Sequence, residues 1–307
     1  MQNYKKRRGP QPVRKQRLNL VLNSQAHGFS ETVVEQVKAA ITDSGGEYFI
    51  INAENVRELI FRLKKALQFN PAGMIVCGGD GTVNLVGRHL IRRTCPLGII
   101  PMGKFNNIYR SLYGASSTDK AIKRILSGRD RRIDQGLAGG YFFLGSAALG
   151  FTVELHNSLA DRRLPRFGIG WSRAAAACAA GVKVNQLSIK IDSFAFEFSP
   201  IMFNVNLLAY SAGLPVSAAG IDDDGKAEVI FDIGQGKAIF SSYARMLVKN
   251  KYLYTDPIRM YRGTKIVVGP VDGRKLYIDG DLHDVVAPEL GIEIFPKRIR
   301  VFDDGEG

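Results

Sequence analysis

The sequence predicts an α/β first half, with a mostly parallel sheet covered by helices, and a second half built from short strands. In the first half, apolar runs of strand length alternate with segments whose apolar residues recur at helical spacing. In the second half, strand-like runs follow one another with glycine-rich turns between them. The chain has 307 residues, which suits two domains of roughly 100–200 residues each.

Strands and helices are predicted to alternate through the first half. Ser30 can cap a helix that ends at Gly45–Gly46, and two further helices are predicted around Leu59–Leu67 and Ala121–Leu126. The intervening strands are predicted at Leu18–Leu22, Tyr48–Ile51, Met74–Cys77 and Leu97–Ile100. This β-α-β-α order predicts ligand binding at the carboxyl ends of the strands.

The pattern changes near residues 128–136, where we place a domain boundary. One helix-like insertion, Trp171–Ala180, interrupts the strand-like runs that follow. Those runs are Tyr141–Leu144, Leu187–Ile191, Phe203–Ala209, Ala227–Phe231, Lys265–Val268, Leu276–Ile278 and Ile292–Phe295. They indicate a β-sandwich or barrel. We therefore predict a basic tail over residues 1–17, an α/β domain over 18–130 and a β domain over 131–303.

The charge balance is strongly basic. Lys and Arg number 42 against 29 Asp and Glu, giving a formal net charge of +13, and the densest cluster lies in residues 1–17. Such an excess attracts nucleic acid or the anionic face of a membrane, and charge alone does not choose between them. Because no aromatic-basic interleaving or zinc motif is present, nucleic acid is not expected as a partner.

The distribution of apolar residues and cysteines indicates a cytoplasmic protein. No apolar run reaches the roughly 18–20 residues of a membrane span, and the N-terminus has no secretory core. Cys77, Cys95 and Cys178 are odd in number and widely spaced. That pattern argues against a disulfide scaffold or a cysteine zinc site and fits a reducing compartment.

One segment has the pattern of a phosphate-binding loop. The strand Met74–Cys77 runs directly into three glycines, with a helix predicted to start near Asn84. The glycines let the backbone approach a ligand, and a helix N-terminus presents N–H groups to an anion. Asp80 would place a carboxylate beside Mg²⁺ or a substrate hydroxyl, and Thr82 a hydroxyl beside a phosphate oxygen. The three glycines are Gly78, Gly79 and Gly81.

The segment Gly78–Asn84 resembles the signature loop of the diacylglycerol kinase catalytic domain superfamily. That group includes bacterial diacylglycerol and lipid kinases, sphingosine and ceramide kinases and, more distantly, NAD kinases. Supporting segments follow in the family's order: Leu22–Asn23 with Ala26–Gly28, Pro96–Gly103 with Asn106–Arg110, Ile221–Lys226, and Ile278–Asp281. The resemblance therefore extends over nearly the whole chain.

The resemblance implies an ATP-dependent lipid kinase with an N-terminal α/β domain and a C-terminal β-sandwich. ATP and lipid would meet in the cleft between them, with ATP and Mg²⁺ as cofactors and diacylglycerol as the favoured substrate, giving phosphatidic acid for phospholipid biosynthesis. Leu149–Leu159 and Phe167–Trp171 are candidate walls of the lipid cleft. The residues expected on the nucleotide side are Asn23, Gly78, Gly79, Asp80, Gly81, Thr82, Asn84, Gly103, Lys104 and Asn106.

The resemblance also implies a general base and a metal site. Asp279 matches the base of the bacterial lipid kinases, whereas the sphingosine and NAD kinase branches use the aspartate that corresponds to Asp80. We assign Asp279 as the base and Asp80 to the nucleotide–Mg²⁺ network. Asp224, with the main chain of Ile221 and Lys226, matches a Mg²⁺ site of the bacterial branch, and oxygen ligands suit that cation.

Three positions depart from the family pattern and keep other functions open. Leu85 and Asp281 stand where the family has Glu, and Lys104 replaces a hydroxyl. The alternatives are a non-catalytic regulator that binds nucleotide or lipid, and a kinase for another alcohol such as a sphingoid base or NAD. The expected partners are the lipid substrate, an anionic membrane surface in peripheral contact and, as an open alternative, a second copy in a homodimer.

Overall fold

The structure, a computed structural model, describes residues 17–115, 117–160, 169–217, 220–233, 236 and 258–305. The predicted basic tail lies outside this part, apart from Arg17. The first half contains β1 (Arg17–Leu22), α1 (Glu31–Asp43), β2 (Glu47–Ile51), α2 (Val56–Leu67), β3 (Gly73–Gly78), α3 (Asp80–Gly87), β4 (Leu97–Pro101), α4 (Asn107–Tyr113) and α5 (Thr118–Leu126). The predicted alternation of strands and helices is confirmed.

The first four strands form a parallel sheet in the order β2-β1-β3-β4. Every residue of β3 is buried, as expected for a strand with both faces covered. Ser30 and Asn55 cap the helices α1 and α2 by accepting backbone N–H groups of the first turn. The loops after β1, β3 and β4 consequently emerge at the same edge of the sheet.

The second half is mainly antiparallel. Its elements are β5 (Asp130–Ala138), β6 (Tyr141–Phe143), β7 (Ser146–Gly150), α6 (Phe151–Ala160), α7 (Ile169–Gly181), β8 (Leu187–Ile191), β9 (Phe194–Phe198), β10 (Met202–Asn206), β11 (Tyr210–Ser211), β12 (Leu214–Pro215), β13 (Ala227–Asp232), β14 (Ile258–Gly263), β15 (Lys265–Gly269), β16 (Lys275–Ile278), β17 (Asp281–Asp284) and β18 (Leu290–Phe302). Six of these strands form a separate sheet in the order β14-β13-β10-β7-β16-β17.

The long strand β18 joins the two halves in one sheet. It pairs parallel to β4 through Val301 and Leu97, and antiparallel to β5 and β15. The parallel sheet therefore continues into the antiparallel strands β18-β15-β8-β9. The last strand of the predicted second domain completes the sheet of the first, so the boundary predicted near residue 130 does not separate two sheets.

The main core runs through both halves. It combines residues of the parallel sheet, such as Ile75, with residues from both antiparallel sheets, such as Ile266 and Phe231. A second, smaller cluster lies against α6 and α7 and includes Phe151 and Tyr277. The predicted β-sandwich is thus the packing of the two antiparallel sheets on each other.

Two predicted boundaries were wrong, and one helix was missed. Helix α3 begins at Asp80 rather than near Asn84, because Gly79 is extended and serves as its N-cap. The strand predicted over Phe203–Ala209 ends at Asn206, since the next two backbone N–H groups donate to the carbonyl of Gly145 instead of a neighbouring strand. Helix α6 was not predicted, because its apolar residues have no clear helical periodicity.

Among the described residues, none of the helices combines the length and hydropathy that a membrane-spanning helix needs.

A tight cross-strand contact near the site gives a stability prediction. Gly136 on β5 pairs with Phe143 on β6, and a Cβ on Gly136 would overlap the buried ring of Phe143. Gly136→Ala should lower the free energy of unfolding by about 1–3 kcal/mol, the usual effect of overpacking. Gly291→Ala is the matched control, because a Cβ on Gly291 of the neighbouring β18 would meet nothing within 4 Å. Equal urea midpoints for the two variants would contradict the prediction.

Candidate functional site

The predicted nucleotide-side residues and Asp279 come together at the edge of the parallel sheet. The loops that follow β1, β3 and β4 meet there with the two-residue turn between β16 and β17. Asp279 and Gly280 form this turn, both with positive φ, +46° and +107°. This backbone conformation is typical of Asp-Gly hairpins. The turn brings a carboxylate from the second half against the glycine loop of the first.

Asn23 and Thr82 link the first nucleotide-side loop to the glycine loop. The Asn23 side chain donates a hydrogen bond of 2.8 Å to Thr82 Oγ1 and accepts one of 3.0 Å from the N–H of Gln25. A Cβ on Gly78 would lie 3.2 Å from Thr82 Oγ1, so a side chain there would crowd this contact. The two predicted ligands therefore orient each other.

The glycine loop and the loop after β4 touch through their backbones. A Cβ on Gly103 would lie 2.5 Å from the Cα of Gly79, and one on Gly79 would lie 3.0 Å from the Cα of Gly103. Only glycine permits this approach. Asn106, in the left-handed conformation, accepts the N–H of Gly103 at 2.7 Å and donates to its carbonyl at 3.1 Å. Asn106 therefore shapes the turn at Gly103.

Asp80 lies at the first position of α3 and is 9% exposed. Its Oδ2 accepts hydrogen bonds from the backbone and side-chain nitrogens of Asn107, at 2.9 and 3.2 Å. Its Oδ1 accepts the backbone N–H of Ile108 at 2.9 Å. The carboxylate thus binds the start of α4, where N–H groups lack helical partners.

Asp279 is 3% exposed and accepts four hydrogen bonds. The backbone N–H groups of Leu144, Gly145 and Ser146 donate at 2.7, 2.9 and 2.7 Å. The fourth donor is the side-chain amide of Asn84, at 2.9 Å. A carboxylate offers about four lone-pair positions, so these donors fill them. Asn84 is the only side chain among the four.

The two buried carboxylates carry perturbed pKa values. Burial raises the pKa of Asp80 to about 6, partly offset by the backbone N–H groups of Ile108 and Asn107, and the charge of Asp279 raises it further. Burial also raises the pKa of Asp279, against the opposing effect of its four donors. Two carboxylates with raised pKa values at a cleft are typical of proton-transfer or cation-binding sites.

The three positions that depart from the family pattern also lie at or near the site. Asp281 is exposed, and a Cβ on Gly81 would lie 3.4 Å from its Oδ2. Lys104 Nζ lies 5.4 Å from the ring centroid of Phe105. Leu85 is partly buried and packs against the main core, so its side chain does not replace the missing carboxylate.

The predicted Mg²⁺ loop is held by three ion pairs. Asp222 binds Arg131 of β5, Asp223 lies 3.4 Å from Lys297 of β18, and Asp224 pairs with Arg262 of β14. Asp224 also accepts the N–H of Lys226 at 3.1 Å, and Ile221 is 41% exposed. The Arg262 guanidinium therefore binds the carboxylate that we assigned to Mg²⁺, and the metal site stays a prediction.

In the part of the chain that the structure describes, no group of three or more acidic, histidine or cysteine side chains is arranged to hold a metal.

Sequence reasoning assigned no role to three contributors to the site. Asn107 contacts Asp80 through both of its nitrogens, and its Oδ1 accepts the N–H of Gly213 at 3.0 Å. The backbone of Leu144–Ser146 binds Asp279, and backbone donors leave no signature in the residue types. Asp281 was noted only as a departure from the family pattern. The pair Asn106-Asn107 after a strand and a glycine was the one available signal.

The raised pKa of Asp80 predicts a pH-dependent stability difference. The folded chain holds this proton up to about pH 6, whereas the ordinary value is 3.8. The stabilisation from Asp80 is therefore present in acid and is lost as the pH rises through 6. Relative to Asp80→Asn, the wild type should lose about 2 kcal/mol of unfolding free energy between pH 4 and pH 7. Urea unfolding at both pH values measures this difference, and a constant difference would exclude the assigned titration.

Comparison with known proteins agrees with this geometry. The Diacylglycerol kinase catalytic domain family matches residues 17–138. An uncharacterized protein of Synechocystis sp. is 23% identical over 285 residues, which are 89% of this chain and 64% of that protein. A diacylglycerol kinase of Staphylococcus carnosus is 21% identical over 259 residues, covering 81% of this chain and 83% of the relative. The chain thus spans less than two thirds of the first relative and most of the second.

Solved structures share the fold over nearly the full length. A diacylglycerol kinase from Bacillus anthracis superposes with a TM-score of 0.73 at 18% identity, covering 95% of this chain and 98% of the other. An NAD kinase from Archaeoglobus fulgidus in complex with ATP superposes with a TM-score of 0.51 at 15% identity, and 94% of each chain is covered. Residues 17–138 therefore match the diacylglycerol kinase catalytic domain family, and the chain has a fold shared with bacterial diacylglycerol kinases.

Proposed function

We propose that the chain is an ATP-dependent lipid kinase that transfers a phosphoryl group to the hydroxyl of a lipid, with diacylglycerol as the favoured substrate and phosphatidic acid as the product. The observation that carries the proposal is the pair of buried carboxylates, Asp80 and Asp279, at the glycine loop. The family match over residues 17–138 and the relatives named diacylglycerol kinase support the same reaction class.

The backbone around Gly79 and Gly103 fits the phosphates of ATP. The bare Cα atoms of these two glycines pack against each other and hold the two loops together at the edge of the sheet. The start of α3 has no side-chain cap, so its N–H groups can meet an anion. Thr82 on α3 and Lys104 next to Gly103 would contribute a hydroxyl and a cation. A hollow lined by Ser24, Gln25, Asn52 and Glu54 adjoins Asn23 and is the candidate place for the nucleoside.

Asp80 is the carboxylate proposed to hold Mg²⁺ beside the phosphates. When bound, the ion would neutralise the charge that develops on the transferred group. Asp80 uses three of its lone pairs on the start of α4 and keeps one for another partner. Its fixed position also orients α4 relative to α3, which keeps the two glycine-containing loops in contact.

Asp279 is the proposed acceptor of the hydroxyl proton. Its burial raises its pKa, so it is a better base than a solvated carboxylate. Three of its donors are backbone groups, so the substrate hydroxyl would have to replace the Asn84 amide. Asp281, exposed and near Gly81, is the second candidate, because its carboxylate can meet a hydroxyl without displacing a donor.

The apolar cluster beside α6 and α7 is the proposed wall of the lipid cleft. It reaches both parts of the site, through Phe105 next to Lys104 and through Leu282 next to Asp281. Val153 and Leu155, within the segment predicted from sequence, are buried members of it. The side chains of the other predicted segment, Phe167–Trp171, lie outside the described residues.

Phosphate transfer from labelled ATP to diacylglycerol in mixed micelles tests the proposal. Asp279→Asn should lower kcat by about 10²–10⁴-fold, the usual contribution of a general base. Asp80→Asn should lower kcat, and the remaining rate should depend less on the Mg²⁺ concentration. Asp281→Asn should reduce the rate less than Asp279→Asn, and the reverse order would identify Asp281 as the base.

One further measurement, ATP binding, makes the result decisive. ATP binding by each variant, followed by calorimetry, separates loss of chemistry from loss of the fold. Wild-type chain that binds ATP but phosphorylates no lipid alcohol would contradict the kinase proposal. That outcome would favour a nucleotide-binding regulator, the alternative to which Leu85 and Lys104 point.

The proposed Mg²⁺ site at Asp224 gives a separate prediction. A cation there would compete with the Arg262 guanidinium for the same carboxylate. Arg262→Ala should therefore increase the rise in unfolding temperature that Mg²⁺ produces. Lys275→Ala is the control, since Lys275 pairs with Asp284 on another hairpin. An equal Mg²⁺ effect in wild type and Arg262→Ala would exclude a metal at Asp224.

A further inference from the structure

The outer edge of the parallel sheet carries an unusual concentration of exposed apolar side chains. Twelve large apolar residues are exposed in the described part of the chain, and six of them lie on β2, on α2 or just after α2. These six, here named the edge patch, are Tyr48, Phe49, Ile50, Val56, Phe61 and Phe69. Single exposed apolar residues are ordinary, whereas a contiguous group indicates an interaction surface.

A groove of about 400 Å³ runs through the edge patch. Phe49 and Ile51 form its wall on β2, and Phe61 and Ala66 on α2, with Phe69 just after this helix, form the opposite wall. Phe61 and Phe69 are 68% and 67% exposed, so neither is held by core packing. Among the described residues β2 pairs only with β1, so it is an edge strand of the described sheet.

The charged side chains that line the groove are all basic. Arg17, Arg62 and Lys65 line it, and none of its described lining residues is a carboxylate. Arg62 is paired with Glu58 at 2.6 Å, and the Arg17 guanidinium lies 5.4 Å from the Phe49 ring centroid. The sequence places six more basic residues and no acidic residue in positions 1–16, directly before Arg17.

These charges discriminate between two occupants. A second copy placed on the edge patch across a twofold axis would bring two identical basic rims together, which like-charge repulsion opposes. An anionic bilayer is complementary in both respects, because aromatic side chains enter the interface and basic side chains attract the lipid phosphates. A kinase whose substrate is a bilayer lipid also has to reach that surface.

We propose that the edge patch docks the chain on an anionic phospholipid bilayer, with Phe61 and Phe69 entering the interface and Arg17 and Lys65 contacting lipid phosphates. This inference rests on the proposed function, since it names the surface by which a lipid kinase would reach its substrate. The contact adds apolar burial to electrostatic attraction, so binding depends on both the aromatic and the basic residues.

Vesicle pelleting tests the docking surface. Wild-type chain should pellet with phosphatidylglycerol–phosphatidylcholine vesicles, but not with phosphatidylcholine alone. Phe61→Ser combined with Phe69→Ser should weaken binding at least about tenfold, because two aromatic anchors are lost. Lys65→Glu should weaken it through charge alone. The matched control is Phe194→Ser, because Phe194 is 61% exposed on β9 at the opposite end of the same sheet.

Three outcomes would overturn the inference. The double variant could pellet like wild type, the control Phe194→Ser could lose as much binding as the double variant, or wild type could bind neutral and anionic vesicles equally. Light scattering adds a fourth: a wild-type dimer that the double variant converts to a monomer would assign the edge patch to self-association. Unfolding temperatures check that the exposed substitutions leave the fold intact.

A micelle assay separates this inference from the proposed function. The double variant should keep wild-type turnover of a short-chain diacylglycerol in detergent micelles and lose turnover on anionic vesicles. Loss of activity in both assays would contradict a docking role for Phe61 and Phe69. Absence of lipid phosphorylation by wild type in micelles would instead reject the kinase, while pelleting would still decide whether the edge patch binds membranes.

Discussion

The burial of Asp279 is the constraint on which the rest of the site depends. Its carboxylate lies in the turn between β16 and β17, yet its donors come from β7 and its preceding loop and from α3. A buried carboxylate is strongly unfavourable unless hydrogen bonds satisfy it. All four donors reach the carboxylate only when the second half of the chain lies directly on the glycine loop, because Asn84 belongs to α3.

Asp80 extends the same principle within the first half. Its carboxylate receives two backbone N–H groups at the start of α4 and the amide of Asn107. The same Asn107 accepts the N–H of Gly213, so the contact continues into the second half. Both carboxylates therefore position backbone elements as well as carrying charge, and the residues that build the fold are the residues assigned to the chemistry.

The acidic loop at residues 222–224 connects different strands in a comparable way. Each aspartate pairs with a base from a separate strand, β5, β18 or β14. Ion pairs of this partly exposed kind contribute little individually, so their combined effect is to fix where the loop lies. The pairing of Asp224 with Arg262 also means that a metal ion would have to compete with a cation supplied by the chain itself.

The sequence by itself determined the four strands and most of the helices of the first half, the glycine loop and the two candidate carboxylates. Glycines after a buried strand and apolar residues at helical spacing are local signals, so they can be recognised without the fold. Only the tertiary structure decided that β18 returns to the parallel sheet, that Leu144–Ser146 binds Asp279, and that Phe61 and Phe69 stay exposed. These features depend on backbone donors and on contacts between residues far apart in the chain, and residue types alone do not encode them.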